Sequence, residues 1–183
     1  MPESRLPPHG PVHVPHPWSP SELLRFPSQT QLAMQREQRK AIDTLFEHWN
    51  AYNLEGIASQ LSDLPNFVWY LRPGSLHRLA EKGMPYDPDA GKLTKAQILD
   101  LFKRLPKLIK YNNFPKPLDV VQEGDRIVVR NVANGELADG TPYRGDYVHI
   151  ITFEPGTPKI LECSEMVDSA LVLELFQRHD FQR

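Results

Sequence analysis

The chain carries one cysteine, Cys163, so it forms no internal disulfide and nothing in it calls for an oxidising compartment. No apolar run approaches the roughly 18 residues that a membrane-spanning helix needs. Neither charge dominates: 21 Lys and Arg stand against 23 Asp and Glu, a formal net charge of -2. That balance gives no electrostatic footprint for nucleic acid or an anionic membrane. There is no glycine-rich phosphate loop and no Gly-x-Ser-x-Gly nucleophile turn. The opening Met1-Pro2-Glu3-Ser4-Arg5-Leu6-Pro7-Pro8 lacks the apolar core of a secretory signal, so a cytoplasmic location is expected. His9, His13 and His16 lie close together, but proline-rich spacing gives them no fixed geometry and Cys163 has no partner, so no metal site is expected.

What is present is an ordinary globular composition, 40% apolar and 24% charged over 183 residues. That length favours one domain with a sizeable core. Proline is concentrated at the front, where eight of the 18 fall within residues 1–27. Proline fixes φ and removes a backbone donor, so residues 1–35 read as an extended arm with polyproline character. Leu6, Val12, Val14, Trp18, Leu23, Leu24 and Phe26 would let it lie along the domain or a partner subunit. The alternative is a loose tail.

Residues 36–183 read as the folded domain. Ile42, Leu45, Phe46, Trp49 and Tyr52 form one helical stripe, predicting a helix from about Thr30 to Ala51. Asn53 is placed to cap a short second helix, Leu54 to Leu61. Phe67–Leu71 reads as a strand, and residues 74–93 as irregular. Thr94 and Gln97 form a capping box that opens a third helix, with Leu108-Ile109 continuing it loosely past Pro106. Four strands follow, 118–122, 126–137, 144–153 and 159–167, separated by turn clusters that mark an antiparallel meander. A final helix is expected over Ser169–His179. Helices segregated from an antiparallel sheet predict an α+β fold.

This order resembles the SnoaL-like branch of the nuclear transport factor two-like superfamily over about residues 36–178. The carrying residues are Tyr143-Arg144-Gly145-Asp146-Tyr147-Val148-His149-Ile150-Ile151-Thr152-Phe153, then Lys159-Ile160, then Glu165-Met166-Val167-Asp168-Ser169. The resemblance implies a cone-shaped α+β barrel: a curved, mostly antiparallel sheet covered by about three N-terminal helices, with a C-terminal helix. It also implies a homodimer formed through the open sheet face, and a small-molecule pocket that needs no cofactor. Members include polyketide cyclases, ketosteroid isomerases, dehydratases and epoxide hydrolases, alongside non-catalytic binding and assembly modules. The epoxide hydrolases resemble an Arg-x-Asp on the long strand, where this chain has Arg130-Asn131-Val132, so that pairing is missing.

Such a pocket needs a base and a donor for a developing oxyanion. Strand parity groups Tyr147, His149, Ile151 and Phe153 on one face, with Cys163 and Glu165 on the neighbouring strand. Asp146, Glu162 and Asp168 share the other. The first face is favoured as pocket lining and the second stays open. Glu165 is a candidate base if buried, or else a salt-bridge partner of Arg130 or Arg144. His149 is a second candidate, or a core residue. Asp168 reads best as a helix cap. Trp69, Tyr70, Asn113, Arg130, Asp146 and Tyr147 are candidates for binding the substrate, with Tyr70 or Tyr147 as oxyanion donor. His77 and Asn113 lie on segments that would reach the cone mouth. The expected function is acid–base chemistry (cyclisation, isomerisation or dehydration) on a small, largely apolar carbonyl compound such as a polyketide or terpenoid. A non-catalytic ligand-binding or assembly module is the alternative.

Overall fold

Helix α1 (Gln29–Asn50) opens at Ser28, whose hydroxyl accepts from the Gln31 backbone N–H while the Gln31 side chain accepts from the Ser28 N–H. The computed structural model that shows this describes residues 27–71 and 92–167. The greater part of the proline-rich arm, His77, Asp168 and the expected C-terminal helix lie outside those residues. Residues 29–35 are the first turns of α1.

The helix buries Gln38, Ala41, Ile42, Leu45, Phe46 and Trp49, one stripe at 3.6-residue spacing. It stops short of Tyr52, which sits in the left-handed region at φ 50. A bulky residue rarely holds that conformation, and here its hydroxyl is tied to the Ile109 carbonyl at 2.8 Å. Helix α2 (Leu54–Gln60) is capped by Asn53, whose side chain accepts from the Gly56 N–H at 3.0 Å. Helix α3 (Lys95–Arg104) is capped by the Thr94–Gln97 box and ends in Lys103 and Arg104, charges that suit the negative end of its dipole. A single 3-10 turn, Leu105–Lys107, carries the chain around Pro106.

The strands are β1 (Val68–Leu71), β2 (Lys92–Leu93), β3 (Ile109–Asn113), β4 (Asp119–Glu123), β5 (Arg126–Leu137), β6 (Pro142–Phe153) and β7 (Ile160–Val167). They form one curved, unclosed sheet in the order β2-β1-β7-β6-β5-β3, with β4 also paired to β5. Strand β5 is long enough to hold β4 along its first half and β3 along its second. The meander β4-β5-β6-β7 is antiparallel as expected, while β1 runs parallel to β7.

One expectation is corrected. Ile109–Asn113 is a strand, not a loose continuation of α3. Its register shifts between Ile109 and Tyr111, so its burial breaks the simple alternation that marks strands in sequence. Gly135 makes that shift possible, because a Cβ there would collide with the Tyr111 carbonyl oxygen.

Candidate functional site

Strand β6 alternates cleanly. Tyr143, Tyr147, His149, Ile151 and Phe153 are buried on the inner face, and Arg144 and Asp146 are exposed on the outer one. On β5 the inner phase reads Ile127, Val129, Asn131 and Ala133. On β7 it includes Cys163 and Glu165, and on β1 it is Trp69. Cross-strand pairing sets His149 opposite Glu165, Asn131 opposite Tyr147, and Trp69 beside Cys163. Directly opposed residues hold their Cβ atoms about 5 Å apart, so these side chains share one neighbourhood. Helices α1 and α3 close over them through Phe46, Trp49 and Phe102.

Glu165 is 7% exposed. Its Oε2 accepts a hydrogen bond from Trp69 Nε1 at 3.0 Å. Burial penalises the charged carboxylate and lifts its pKa to about 7, and the Trp69 bond partly offsets that lift. The salt-bridge alternative fails on geometry. Arg130 and Arg144 stand on the outer face, and Arg130 pairs there with Asp119 at 3.4 Å.

His149 is fully buried. Its ring packs edge-on against Phe46 at 5.3 Å and Trp49 at 6.0 Å, and stacks on Tyr147 at 5.8 Å with an interplanar angle of 6°. Burial drives its pKa down to about 3. At neutral pH it is therefore an uncharged imidazole, one nitrogen a donor and the other an acceptor. Of these two groups, Glu165 is the one that changes protonation state near neutral pH.

The Tyr143 and Tyr147 hydroxyls hydrogen-bond to each other on the inner face. Burial pushes the Tyr143 pKa up to about 12 and that of Tyr147 well above its ordinary value, so both remain protonated donors. Phe114 is held over the site by Asn50, whose carboxamide donates to the Phe114 carbonyl at 2.9 Å and accepts from its N–H at 2.7 Å.

Other expected residues fall elsewhere. Asp146 and Arg130 are exposed on the outer face of β6 and β5. Asn113 is exposed too, because the β3 register shift turns Asn112 inward in its place. Tyr70 stands on the opposite face of β1 from Trp69. Asn131, Asn112, Trp49 and Tyr143 are buried in the interior and are not among the site candidates drawn from the sequence. Asn131 had a legible signal, a carboxamide in the apolar phase of an otherwise alternating strand. Among the described residues, no three His, Cys, Asp or Glu side chains come together as metal ligands would. No helix of these residues is long and apolar enough to cross a membrane.

Comparison with solved structures decides the fold. A putative isomerase from Bacillus subtilis superposes with a TM-score of 0.62 at 19% identity, over 80% of this chain and 96% of its own. The fold is that of the nuclear transport factor two-like superfamily. The BvnE pinacolase from Penicillium brevicompactum has this fold too, with a TM-score of 0.63 at 17% identity over 79% of this chain and 92% of its own. So does TerC, co-crystallized with polyporic acid, with a TM-score of 0.59 at 22% identity over 77% and 98%. No protein-family model and no curated protein matches the chain. In this chain Trp69, Tyr147, His149 and Glu165 are buried together on the inner sheet face.

Proposed function

We propose that the chain is a SnoaL-like, cofactor-independent acid–base enzyme acting in the cytoplasm. Its substrate is a small, largely apolar carbonyl compound such as a polyketide or terpenoid, and its reaction is an isomerisation, cyclisation or dehydration. One observation carries this reading: Glu165 is a carboxyl group buried among aromatic rings, tied to Trp69, with a pKa lifted to about 7. A carboxyl held there exists in both protonation states near neutral pH, as a proton shuttle requires. Glu165 takes a proton from the carbon beside the carbonyl, and the electron pair moves onto the carbonyl oxygen as an enolate. A neutral donor stabilises that oxygen, and Tyr147, Tyr143 and the His149 ring N–H are the groups on the inner face able to do so. Return of the proton from Glu165 to another carbon completes an isomerisation. The putative isomerase and the pinacolase of the same fold support a catalytic reading. Turnover of a panel of cyclic enones and β-hydroxyketones by the wild type, and its retention in both Glu165→Gln and His149→Ala, would contradict the assignment.

A second reading, a non-catalytic ligand-binding or assembly module, is favoured by the close packing of Phe46, Trp49, Phe114 and Tyr147 around His149. An environment-sensitive apolar dye separates the two, since it enters an open enzyme pocket and finds no room in a filled core.

The homodimer implied by the resemblance is proposed on the outer sheet face. There Val121, Val128 and Ile150 lie in one cross-strand row, with Val148 and Met166 in the next. Val121 is 66% exposed, a large apolar surface for a strand to leave in water.

A further inference from the structure

A groove of about 250 Å³ lies between α1 and β4, lined by Arg39, Ile42, Asp43, Lys116, Pro117 and Val120. None of these residues belongs to the buried group around Glu165. The two walls of the groove run antiparallel. Asn50 bonds Phe114 near one end, and at the other Arg39 Nε donates to Gln122 Oε1 at 2.9 Å. Large apolar side chains stand uncovered at its margins. Leu118 is 55% exposed and shares the parity of Val120 and Gln122, the side of the strand that meets α1. Leu32 is 41% exposed and stands two turns before Arg39 on the same side of the helix. Strand β4 is also an edge, since among the described residues it pairs with β5 alone. An open edge offers unpaired backbone groups to any extended chain, and proteins commonly cover it.

We propose that residues 18–26 of this chain's own N-terminal arm dock in the groove between α1 and β4, running antiparallel to α1. The proposal is independent of the enzyme reading. Length and position carry it. The arm joins the described chain at Pro27, immediately before the Ser28 cap that opens α1. A helix rises about 1.5 Å per residue and an extended chain about 3.2 Å, so the arm doubling back gains two helix residues for each of its own. That arithmetic sets Phe26 level with Leu32, Glu22 level with Arg39, and Trp18 level with the Lys116–Pro117 end of the groove. Chemistry matches at each point. Trp18, Glu22, Leu24 and Phe26 share one face of an extended chain, because successive side chains alternate. Phe26 and Leu24 meet the apolar margin, and Trp18 lies across Pro117 and the Lys116 cation. Glu22 answers a groove in which Arg39 and Lys116 outnumber Asp43. Ser21-Glu22-Leu23-Leu24-Arg25-Phe26 is the longest proline-free run of residues 1–27, so it keeps the backbone donors that an open edge can bond.

The test is a nitroxide attached to Ser21→Cys in the full chain, read by NMR as line broadening of backbone amides. Cys163 is buried and takes no label. Amides of 39–43 and 120–122 are expected to broaden far more than those of β1, which lies four strands from β4. Leu24→Asp combined with Phe26→Asp leaves every described residue untouched. On the labelled chain it is expected to cut the excess broadening about tenfold, since the docked segment loses two apolar anchors. A segment that is merely tethered at Pro27 broadens the same amides alike in both chains, and that result would overturn the proposal. Broadening greatest at Val128, Ile150 and Met166 would also overturn it, by seating the segment on the outer sheet face. A mixture of isotope-labelled chain without nitroxide and nitroxide-bearing chain without isotope should keep its amides sharp. Broadening of 39–43 in that mixture would assign the groove to the arm of a second copy and overturn docking within one chain.

Discussion

Trp69 and Glu165, 96 residues apart, meet through a single indole-to-carboxylate hydrogen bond of 3.0 Å in the buried interior. The parallel pairing of β1 with β7 brings them together. Burial raises the carboxyl pKa and the indole N–H lowers it, so the bond sets how far toward neutrality Glu165 is driven. In Trp69→Phe the charged form loses its donor. A hydrogen bond to a charged group is worth about 1.5–3 kcal/mol, so the pKa should climb by about one to two units above the wild-type value. The acidic limb of the pH–rate profile should move up with it, and an unmoved limb would show that Trp69 does not tune the base.

Glu165 and His149 give opposing pH dependences of stability. The Glu165 pKa rises from an ordinary 4.5 to about 7 on folding, so the folded state holds the extra proton and stability falls as pH rises through that window. The total is about 3 kcal/mol. The His149 pKa falls from 6.5 to about 3, so the unfolded state holds the extra proton and stability rises with pH between those values. This total is about 5 kcal/mol. Between pH 4.5 and 6.5 the two slopes largely cancel. Denaturant melts across pH should show His149→Phe losing stability from pH 4.5 to 7, and Glu165→Gln gaining it from pH 3 to 6.5. Parallel curves for wild type and both variants would contradict this.

Asn50 closes a two-bond clamp on the Phe114 backbone. Asn50→Ala leaves one backbone N–H and one carbonyl without these partners, at a cost of about 1–3 kcal/mol. It also frees the ring that packs against Trp49 and Tyr147. Hydrogen exchange should quicken at Phe114 more than at β6, and a uniform change would argue against a local clamp.

The outer row of Val121, Val128 and Ile150 predicts a dimer of this 21.0 kDa chain. Val128→Glu, 37% exposed in the described chain, would place a charge in that interface without entering the core. Sedimentation should show twice the chain mass for wild type and the monomer for the variant. A monomeric wild type at micromolar concentration removes the proposal.

The fold was legible wherever local chemistry decides. The Asn53 cap, the Thr94–Gln97 box and the turns around Gly124, Gly140 and Gly156 depend on a few neighbouring residues. Strand parity groups Tyr147, His149, Cys163 and Glu165 on one face, and it is their burial that makes it the inner one. Strand β3 was not legible, because its bulge breaks the period of two and Pro106 precedes it. The same bulge exchanged Asn113 for Asn112 on the inner face. The bond from Trp69 to Glu165 was hidden as well, since a parallel pairing across most of the chain leaves no local mark. Arg130 lacks an acidic neighbour on its strand, and the residue beside it that marks the interior is Asn131, a carboxamide out of place in an apolar phase.

The most direct test of Glu165 as base requires no knowledge of the natural substrate. Proton NMR in deuterated buffer follows exchange of the methyl protons α to the carbonyl of 2-acetyl-6-hydroxynaphthalene. Wild type should accelerate that exchange at neutral pH, and Glu165→Gln should slow the catalysed rate by about a hundredfold or more. Exchange at the wild-type rate in Glu165→Gln would contradict the account, because the proton would then be leaving by way of another group.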